Sequence, residues 1–386
     1  MGAIAETVAS GPAEQKTKVL LVAPPASSEI ARHVLSLARG LDRDQFELSL
    51  ACPRRGSVAE EAASLGIEVF HVAVPPAPSP VKSMSAALGL SRLISSGGFH
   101  LVHAHSFSAS LVASLAREFA TWPILVTSVH EALPGGGRAG VRRWVLRMIA
   151  RKSDRIVTAC DTLQALFADT RGADEKLLTI PDGVDLERAA DPAVRAQVRA
   201  ALGVGKDTPV VGVLGDAQDI REVEFQRVME RVEARYPQAA FVSAADQRLR
   251  KPSRADTEDS GVDGPASAAA LAEVFDVAVM LPPCDRFPVE AVEAMAAAKP
   301  VCGYAVGALP EVVADGVTGL LAPEGDEDAL ADAIEALIKD PARARAMGDA
   351  GRERARERFS LPAMIERTEN CYADLARIHL VGSDKS

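Results

Sequence analysis

Aromatic residues, paired cysteines and long apolar runs are all scarce in this chain of 386 residues. Aromatic side chains make up 4% of the residues, and the formal net charge is −10. Both values argue against nucleic-acid binding, because such surfaces are basic and stack bases on aromatic rings. The five cysteines are scattered without a C-x-x-C pair, which disfavours a zinc knuckle or a disulfide framework and suits a reducing compartment.

The chain also lacks the features of secretion and membrane insertion. No apolar run approaches the roughly 18 residues that a membrane-spanning helix needs. Residues 1–17 have neither the basic start nor the apolar core of a signal peptide, so we expect a flexible tail there and a polar tail at residues 381–386. The predicted location is therefore cytoplasmic. Charge is uneven, since residues 1–190 hold 20 basic and 19 acidic side chains and the remainder holds 23 and 34.

Short apolar runs alternate with segments of helical periodicity, which predicts parallel strands joined by helices. The run Lys18–Ala23 is typical of a buried parallel strand, and a second series begins at Pro209–Leu214. Residues 248–265 are polar without clear periodicity and are predicted to form a long loop. We predict an α/β protein with two doubly wound parallel-sheet domains. Their limits are residues 18–186 for the N-terminal domain, residues 187–360 for the C-terminal domain and residues 361–380 for a final helix.

Two carboxylates flank a predicted helix entry between residues 285 and 320. Asp285 and Glu293 lie eight positions apart, with Phe287-Pro288 between them and a helix predicted over Val289–Ala298. A helix N-terminus suits a phosphate because its N–H groups and dipole attract anions. Ionised carboxylates accept hydrogen bonds from sugar or ribose hydroxyls. In isolation the two acids would be ordinary solvated residues, but together with the helix entry they predict a nucleotide-sugar site.

This segment resembles the donor-binding motif of retaining glycosyltransferases of family 4 (group 1), which have the GT-B fold. That family carries a Glu followed by Gly-Phe-Pro, then the run E-A-M-A-x-G-x-P-V and the turn G-G-x-P-E. The run is matched here by Glu293-Ala294-Met295-Ala296 with Pro300-Val301, and the turn by Gly307–Glu311. The chain differs at Asp285, where the family has Glu, and at Arg286, where it has Gly. The resemblance implies two Rossmann-like domains that face each other across a cleft, with the last helix returning to the N-terminal domain.

The N-terminal half resembles the same family at two strand ends. The segments Val102–Ser106 and Thr127–Glu131 match its V-H-x-H and T-x-H-G patterns, although the residue after His130 is Glu instead of Gly. Ligands of open α/β sheets bind beyond the carboxyl ends of the strands. His105 and His130 are therefore predicted to contact the sugar or the acceptor, whereas His103 is predicted to be an ordinary half-buried histidine within the strand.

The segment Pro181–Asp185 matches the family's P-N-G-V-D at the predicted crossing between domains. Gly183 supplies backbone freedom there. We interpret this motif as structural and not as catalytic.

The phosphate-binding side departs from the family pattern. A Gly-Gly turn after the first strand is replaced by Ser27 and Ser28, and a G-x-G-P turn by Ser243–Asp246. In the pattern G-R-x-x-x-x-K-G, the Arg is replaced by Asp216 and the Lys by Arg221. An anion in place of a cation near a diphosphate turns attraction into repulsion, and one unit-charge contact at about 4 Å amounts to roughly 4 kcal/mol at an effective dielectric constant of about 20.

The resemblance implies roles for individual residues. Those assigned to catalysis are His130, Asp285 and Glu293. Those assigned to donor binding are Ser27, Ser28, Asp216, Arg221, Phe287, Pro288 and Glu293. His105 and His130 are assigned to the sugar or the acceptor. The nucleotide sugar is a substrate, and neither a cofactor nor a metal is expected.

Three functions stay open. One is a retaining glycosyltransferase of the hexosyltransferase type that moves a sugar from a nucleotide donor to an unidentified glycan, lipid-linked or small-molecule acceptor. Another is a catalytically degenerate homologue that binds or scaffolds a protein partner, as Asp216 suggests. A third is an enzyme that uses a sugar phosphate as its donor. An NAD-dependent enzyme is disfavoured, because no G-x-G-x-x-G follows the first strand.

A basic stretch at Arg138–Arg155 has two interpretations. It holds seven Lys and Arg residues and one acid, with Trp144 and other apolar residues between them. Such a segment suits the anionic inner face of a membrane. It equally suits a solvated basic helix face whose apolar side packs on the sheet.

Overall fold

A computed structural model of the protein describes most of the chain. The described residues are 16–25, 28–54, 57–119, 123–133, 139–186, 195–196, 199–200, 204–205, 207–213, 222–243, 248–250, 272–281 and 286–383. Their contacts define two compact units. The first contains the described residues up to Thr127, Lys152–Asp154 and those from Leu375 onward; the second contains those of Ser128–Arg151 and Arg155–Asp374.

The first sheet is parallel and has buried central strands. Its order over the described residues is β3-β2-β1-β4-β5-β6-β7. The strands are β1 (Thr17–Val22), β2 (Phe46–Cys52), β3 (Glu68–His71), β4 (Leu101–His105), β5 (Ile124–Val129), β6 (Arg155–Thr158) and β7 (Leu177–Thr179). β1 pairs in parallel with β2 and β4. Every residue of β4 and β5 is buried, as a parallel sheet covered on both faces requires.

Helices follow these strands along the chain. They are α1 (Ser28–Gly40), α2 (Ser57–Ser64), α3 (Pro80–Gly97), α4 (Ser106–Ala116), α5 (Ala139–Lys152) and α6 (Asp161–Gln164). Short 3₁₀ turns follow at Ala165–Phe167 and Asp174–Lys176. α3 begins with Pro80, whose fixed φ suits a first helical turn, and ends before Gly98 in the left-handed conformation. α4 follows β4 directly and is buried along its whole length.

The second sheet has the order β10-β9-β8-β11-β12-β13. Its strands are β8 (Val210–Val213), β9 (Ala240–Ser243), β10 (Arg248–Arg250), β11 (Val277–Met280), β12 (Val301–Tyr304) and β13 (Gly319–Ala322). Its neighbouring strands pair in parallel except β10 with β9, which is antiparallel. The loop predicted over residues 248–265 is therefore wrong at Arg248–Arg250. An edge strand pairs through its backbone on one side only, so it needs no apolar alternation. Residues 251–265 lie outside the described residues.

Helices cover both faces of this sheet. They are α7 (Glu222–Arg235), α8 (Val289–Ala296), α9 (Leu309–Val312), α10 (Glu327–Lys339) and α11 (Pro341–Arg358). The last helix of the described residues, α12 (Leu361–Ser383), follows α11. Successive strand residues point to opposite faces. Val210 accordingly joins a core with α8 and α11, and Val211 a core with α7 and α10. None of the helices in the described ranges is long and apolar enough to cross a membrane.

These two parallel-sheet layers confirm the predicted α/β class with two Rossmann-like sheets. The predicted domain limits stay predictions, and the proposed boundary after residue 186 adjoins residues 187–194, which lie outside the described ranges.

Glycines let α11 approach α8 closely. A Cβ at Gly348 would overlap the carbonyl oxygen of Ala298, just beyond the end of α8. A Cβ at Gly351, one turn further along α11, would lie 3.4 Å from the Met295 side chain, which is ordinary contact. The packing of the two helices therefore depends on Gly348 and much less on Gly351.

We expect Gly348→Ala to lower the free energy of unfolding by about 1–3 kcal/mol, because the added methyl group forces the helices apart. Gly351→Ala is the matched control on the same helix. It should be neutral or stabilise the protein by up to about 1 kcal/mol, because alanine favours the helix. Urea unfolding monitored by circular dichroism measures both. Equal effects of the two substitutions would contradict this account of the packing.

Candidate functional site

Four of the predicted site residues lie outside the described part of the chain: Ser27, Asp216, Arg221 and Asp285. Ser28 is the first residue of α1, which follows β1 after a short connection. The geometry described below therefore concerns His105, His130, Phe287, Pro288 and Glu293.

His130 directly follows β5, at the carboxyl end of a buried strand. Its side chain is buried, and its Nδ1 lies 3.5 Å from Oδ1 of the equally buried Asp182. A carboxylate at this position orients an imidazole ring and favours one arrangement of its protons. Asp182 belongs to the segment interpreted from sequence as structural only, so its contact with His130 was missed. The available signal was the carboxylate where the family has Asn.

A single β-bridge joins the segment after His130 to the entry of α8. Glu131 and Arg286 pair in antiparallel orientation. Both residues stand where the resembled family has Gly. The Arg286 guanidinium donates to Glu290 Oε1 at 2.9 Å, and both side chains are about 10% exposed. The buried pair neutralises an acid in the first turn of α8, which would otherwise oppose an anion there.

α8 presents one carboxylate away from the core. Seven of its eight residues are buried, and Glu293 is the half-buried exception. Pro288 caps the helix at its N-terminus. The ring of Phe287 is 1% exposed and lies 5.8 Å from the ring of Phe359. Phe287 therefore packs in the core below the helix entry, while Glu293 is the one side chain of α8 that lies partly at the surface.

The turn after β12 is tied to the start of α6 by Glu311. Its carboxylate accepts hydrogen bonds from the N–H groups of Asp161 (2.8 Å) and Thr162 (2.9 Å) and from the Thr162 hydroxyl (2.7 Å). Arg354 donates to the backbone carbonyls of Glu311 and Val312 at 2.8 and 2.7 Å. The sequence motif G-A-L-P-E was recognised, but these partners were not.

In the first unit, the carboxyl end of β4 holds two buried histidines. His103 is 2% exposed and His105 is 0% exposed, and their ring centroids lie 4.1 Å apart. His103 is more deeply buried than the half-buried position predicted for it. Ser106, the first residue of α4, has φ of 86°, which is a strained value for a residue with a Cβ. Such strain is concentrated at functional turns, and sequence patterns do not reveal it.

The cysteines of the described residues are buried thiols. Burial raises the pKa of Cys160 and of Cys302 to about 12. A thiol with such a pKa is not a nucleophile near neutral pH. The four cysteines within the described residues are buried: Cys52, Cys160, Cys302 and Cys371.

Sequence comparison with known proteins identifies the family of this chain. Residues 28–183 match the family model described as a glycosyl transferase 4-like domain, and residues 267–354 match the model of glycosyl transferases group 1. The chain is 31% identical over 307 residues to the alpha-maltose-1-phosphate synthase of Mycolicibacterium smegmatis, covering 70% of this chain and 78% of that protein. It is 28% identical over 356 residues to the GDP-mannose-dependent alpha-(1-6)-phosphatidylinositol monomannoside mannosyltransferase of the same organism, covering 85% and 90%.

Among solved structures, Anabaena HepE in complex with UDP and glucose has a TM-score of 0.75 to this chain. It covers 93% of this chain and 100% of its own, with 18% sequence identity, so this likeness concerns the fold. Fold, family models and curated relatives agree: the chain belongs to the group 1 glycosyltransferases of family 4, which are transferase enzymes with the GT-B fold.

Proposed function

We propose that this protein transfers a sugar from a nucleotide sugar to a hydroxyl group of an acceptor, with retention of the anomeric configuration. The observation that carries the proposal is the bridge between Glu131 and Arg286. It joins the residue after His130 to the entry of α8, the helix that carries Glu293. A sugar-contacting imidazole and a ribose-contacting acid are what a nucleotide sugar requires of its site.

The roles of the residues follow from their chemistry. Glu293 accepts hydrogen bonds from the ribose hydroxyls of the donor, because an ionised carboxylate only accepts. The N-terminal turn of α8 faces the diphosphate and stabilises the negative charge that grows as the bond from the sugar C1 to the phosphate oxygen breaks. The acceptor oxygen then bonds to C1, and its proton leaves with the departing phosphate. His130, oriented by Asp182, holds a sugar hydroxyl, and Asp285 lies beside the sugar or the phosphate.

The donor that we propose is a nucleoside diphosphate sugar. The names of the relatives mention GDP-mannose, maltose 1-phosphate and a phosphatidylinositol monomannoside. The pair of Arg286 with Glu290 is compatible with an anionic donor, because it cancels the charge of an acid in the first turn of α8. Asp216 acts against tight phosphate binding, so we expect weaker donor affinity than a complete Arg and Lys clamp would provide.

A degenerate homologue that binds a protein partner is the second candidate, and Asp216 is the observation that favours it. The two functions differ in donor affinity. If the unaltered chain binds no donor and Asp216→Arg creates binding, the natural chain has lost the phosphate-binding Arg and Lys pair of the family. The partner-binding function is then the better conclusion. Micromolar binding by the unaltered chain would exclude this second candidate.

Glu293→Gln tests the donor site. A panel of UDP-, GDP- and ADP-sugars should contain a donor that binds the unaltered protein, raises its melting temperature and is consumed. The substitution should weaken that donor about 10- to 100-fold, because hydrogen bonds to charged groups contribute about 1.5–3 kcal/mol. Glu366→Gln, at an exposed position of α12, is the matched control and should change nothing. Calorimetric titration gives both affinities, and equal values for the two variants would sink the assignment of Glu293.

Substitutions of Asp182 test whether this carboxylate orients His130. We expect Asp182→Ala to lower kcat by about tenfold or more with little change in KM, because a mispositioned imidazole weakens the transition-state contact. Asp182→Asn, which restores the residue that the family has there, should retain most of the activity. Steady-state kinetics with the donor identified above decides this. If alanine and asparagine are equally harmful, orientation of His130 is not the role of Asp182.

Helix α5 supports contact with a membrane surface that carries the acceptor. Its apolar residues Val145, Leu146, Ile149 and Ala150 are buried, so packing explains them. Packing does not explain Val141 and Trp144, which are 41% and 37% exposed on the same helix. Exposed arginines surround them, at positions 142, 143, 147 and 151. An apolar pair within a basic face suits an anionic lipid surface.

Vesicle binding tests this surface. The protein should co-sediment with vesicles that contain anionic phosphatidylglycerol and not with purely zwitterionic ones. Reversing Arg142 and Arg143 to Glu should weaken binding at least about 30-fold, since each cation contributes about 1 kcal/mol at such a surface. Reversing Arg352 and Arg356, which are exposed on α11, is the control with the same change in charge. Equal losses in both double variants would mean that net charge alone, and not this helix, drives the binding.

A further inference from the structure

A cavity lies at the amino ends of the strands of the second sheet, at the edge opposite the proposed donor site. Its volume is about 540 Å³, within the range of small-molecule sites. Pro209, Asp276 and Pro300 line it, and each directly precedes a strand: β8, β11 and β12. The remaining wall comes from the end of α10 and the start of α11.

Basic side chains enter this cavity from three different parts of the chain. Arg195 comes from the described pair of residues 195–196, Lys299 from the turn between α8 and β12, and Arg345 from α11. Two acids, Asp207 and Asp276, also line it. Both oxygens of the Asp276 carboxylate already have partners within the protein. Arg195 Nη2 lies 2.6 Å from Oδ1, and the N–H of Val210 donates to Oδ2 at 2.9 Å. Arg199 lies 3.6 Å from the same carboxylate.

Lys299 is the most unusual of these cations. Its residue is 9% exposed, and its Nζ donates one hydrogen bond, to the backbone carbonyl of Glu273 at 3.0 Å. Within the described part of the chain it has no ion pair at 4.0 Å or less, although an ammonium group carries three N–H donors. Buried charges are normally paired. An anion in the cavity would supply the missing partner.

The electrostatics of Lys299 agree with this geometry. Burial, together with the charges of Arg195 and Arg199, lowers the pKa of Lys299 to about 8, against the opposing effect of Glu273 and Asp276. Burial is the largest of these effects, so Lys299 is a buried ammonium group whose charged form is destabilised in the free protein.

The backbone before Lys299 is held in a strained turn. Ala298 has φ of 54°, in the left-handed region, and the N–H of Lys299 donates to the carbonyl of Ala294 at 2.9 Å. This is the helix-ending geometry in which glycine is preferred, and the resembled family run has Gly at this position. The turn directs Lys299 into the sheet edge, so the position of its ammonium group is set by the backbone.

We propose that this cavity binds a small phosphorylated molecule. Its phosphate lies against Lys299 and Arg345, because two cations from separate parts of the chain suit a doubly charged, multi-oxygen anion. Arg195 also lines the cavity, but its charge is paired with Asp276 and its Nη1 donates to the carbonyls of Glu273 and Phe275. The rest of the ligand lies on the apolar wall formed by Phe275, Leu337 and Ile338. This site is separate from the proposed donor site and does not depend on it.

Phenyl phosphate and inorganic phosphate are the probes for this site, measured by isothermal titration calorimetry on the full chain. Phenyl phosphate should bind more tightly than inorganic phosphate, because only the former reaches the apolar wall. Lys299→Met, which keeps the side-chain length, should weaken phenyl phosphate at least about tenfold. Arg345→Gln, at an exposed position that leaves the fold intact, should weaken it several-fold. Lys339→Gln on the neighbouring α10 is the matched control and should have no effect.

Two further measurements separate this cavity from other anion sites. Glu293→Gln should leave phenyl phosphate binding unchanged, which distinguishes the cavity from the donor site. The affinity should fall as pH rises from about 7.5 to 9, because Lys299 loses its proton in the free protein while the phosphate, with a second pKa of about 6, stays doubly charged. Undetectable binding overturns the proposal. So does binding that Lys299→Met and Arg345→Gln weaken no more than Lys339→Gln does.

Discussion

The carboxylate of Glu311 is the contact on which the geometry of the proposed site depends. It satisfies two N–H groups in the first turn of α6, which have no partner within their own helix. Hydrogen bonds to a charged acceptor contribute about 1.5–3 kcal/mol each. The contact joins the start of α6 to the turn after β12, and Arg354 holds that turn from its other side.

The two ends of α8 differ in the net charge of the side chains around them. At its start a buried ion pair, Arg286 with Glu290, removes net side-chain charge near the helix dipole. Beyond its end, Lys299 carries a buried positive charge that no carboxylate within 4.0 Å balances among the described residues. The residues after position 190 have a large acidic excess.

Sequence patterns predicted the layers of the fold because buried parallel strands are continuous apolar runs, as in β1 and β5. They placed His130 at a strand end for the same reason. They did not predict β10, since an edge strand has no apolar alternation to recognise. The partners of Asp182 and Glu311 were also hidden, because contacts across about 50 and about 150 positions depend on the packing of whole elements. The roles of Asp285, Asp216 and Arg221 stay predictions.

Glu293 has a consequence for how this lineage changes over time. Its neighbours on α8 are buried, so selection for a stable core alone preserves them. Glu293 is half-buried, so packing in the core constrains it less than it constrains these neighbours. On the proposed role of Glu293, an orthologue that had abandoned its donor would keep the apolar side of α8 and lose the acid. Variation at this position across the lineage would then distinguish chains that kept the proposed chemistry from chains that kept only the fold.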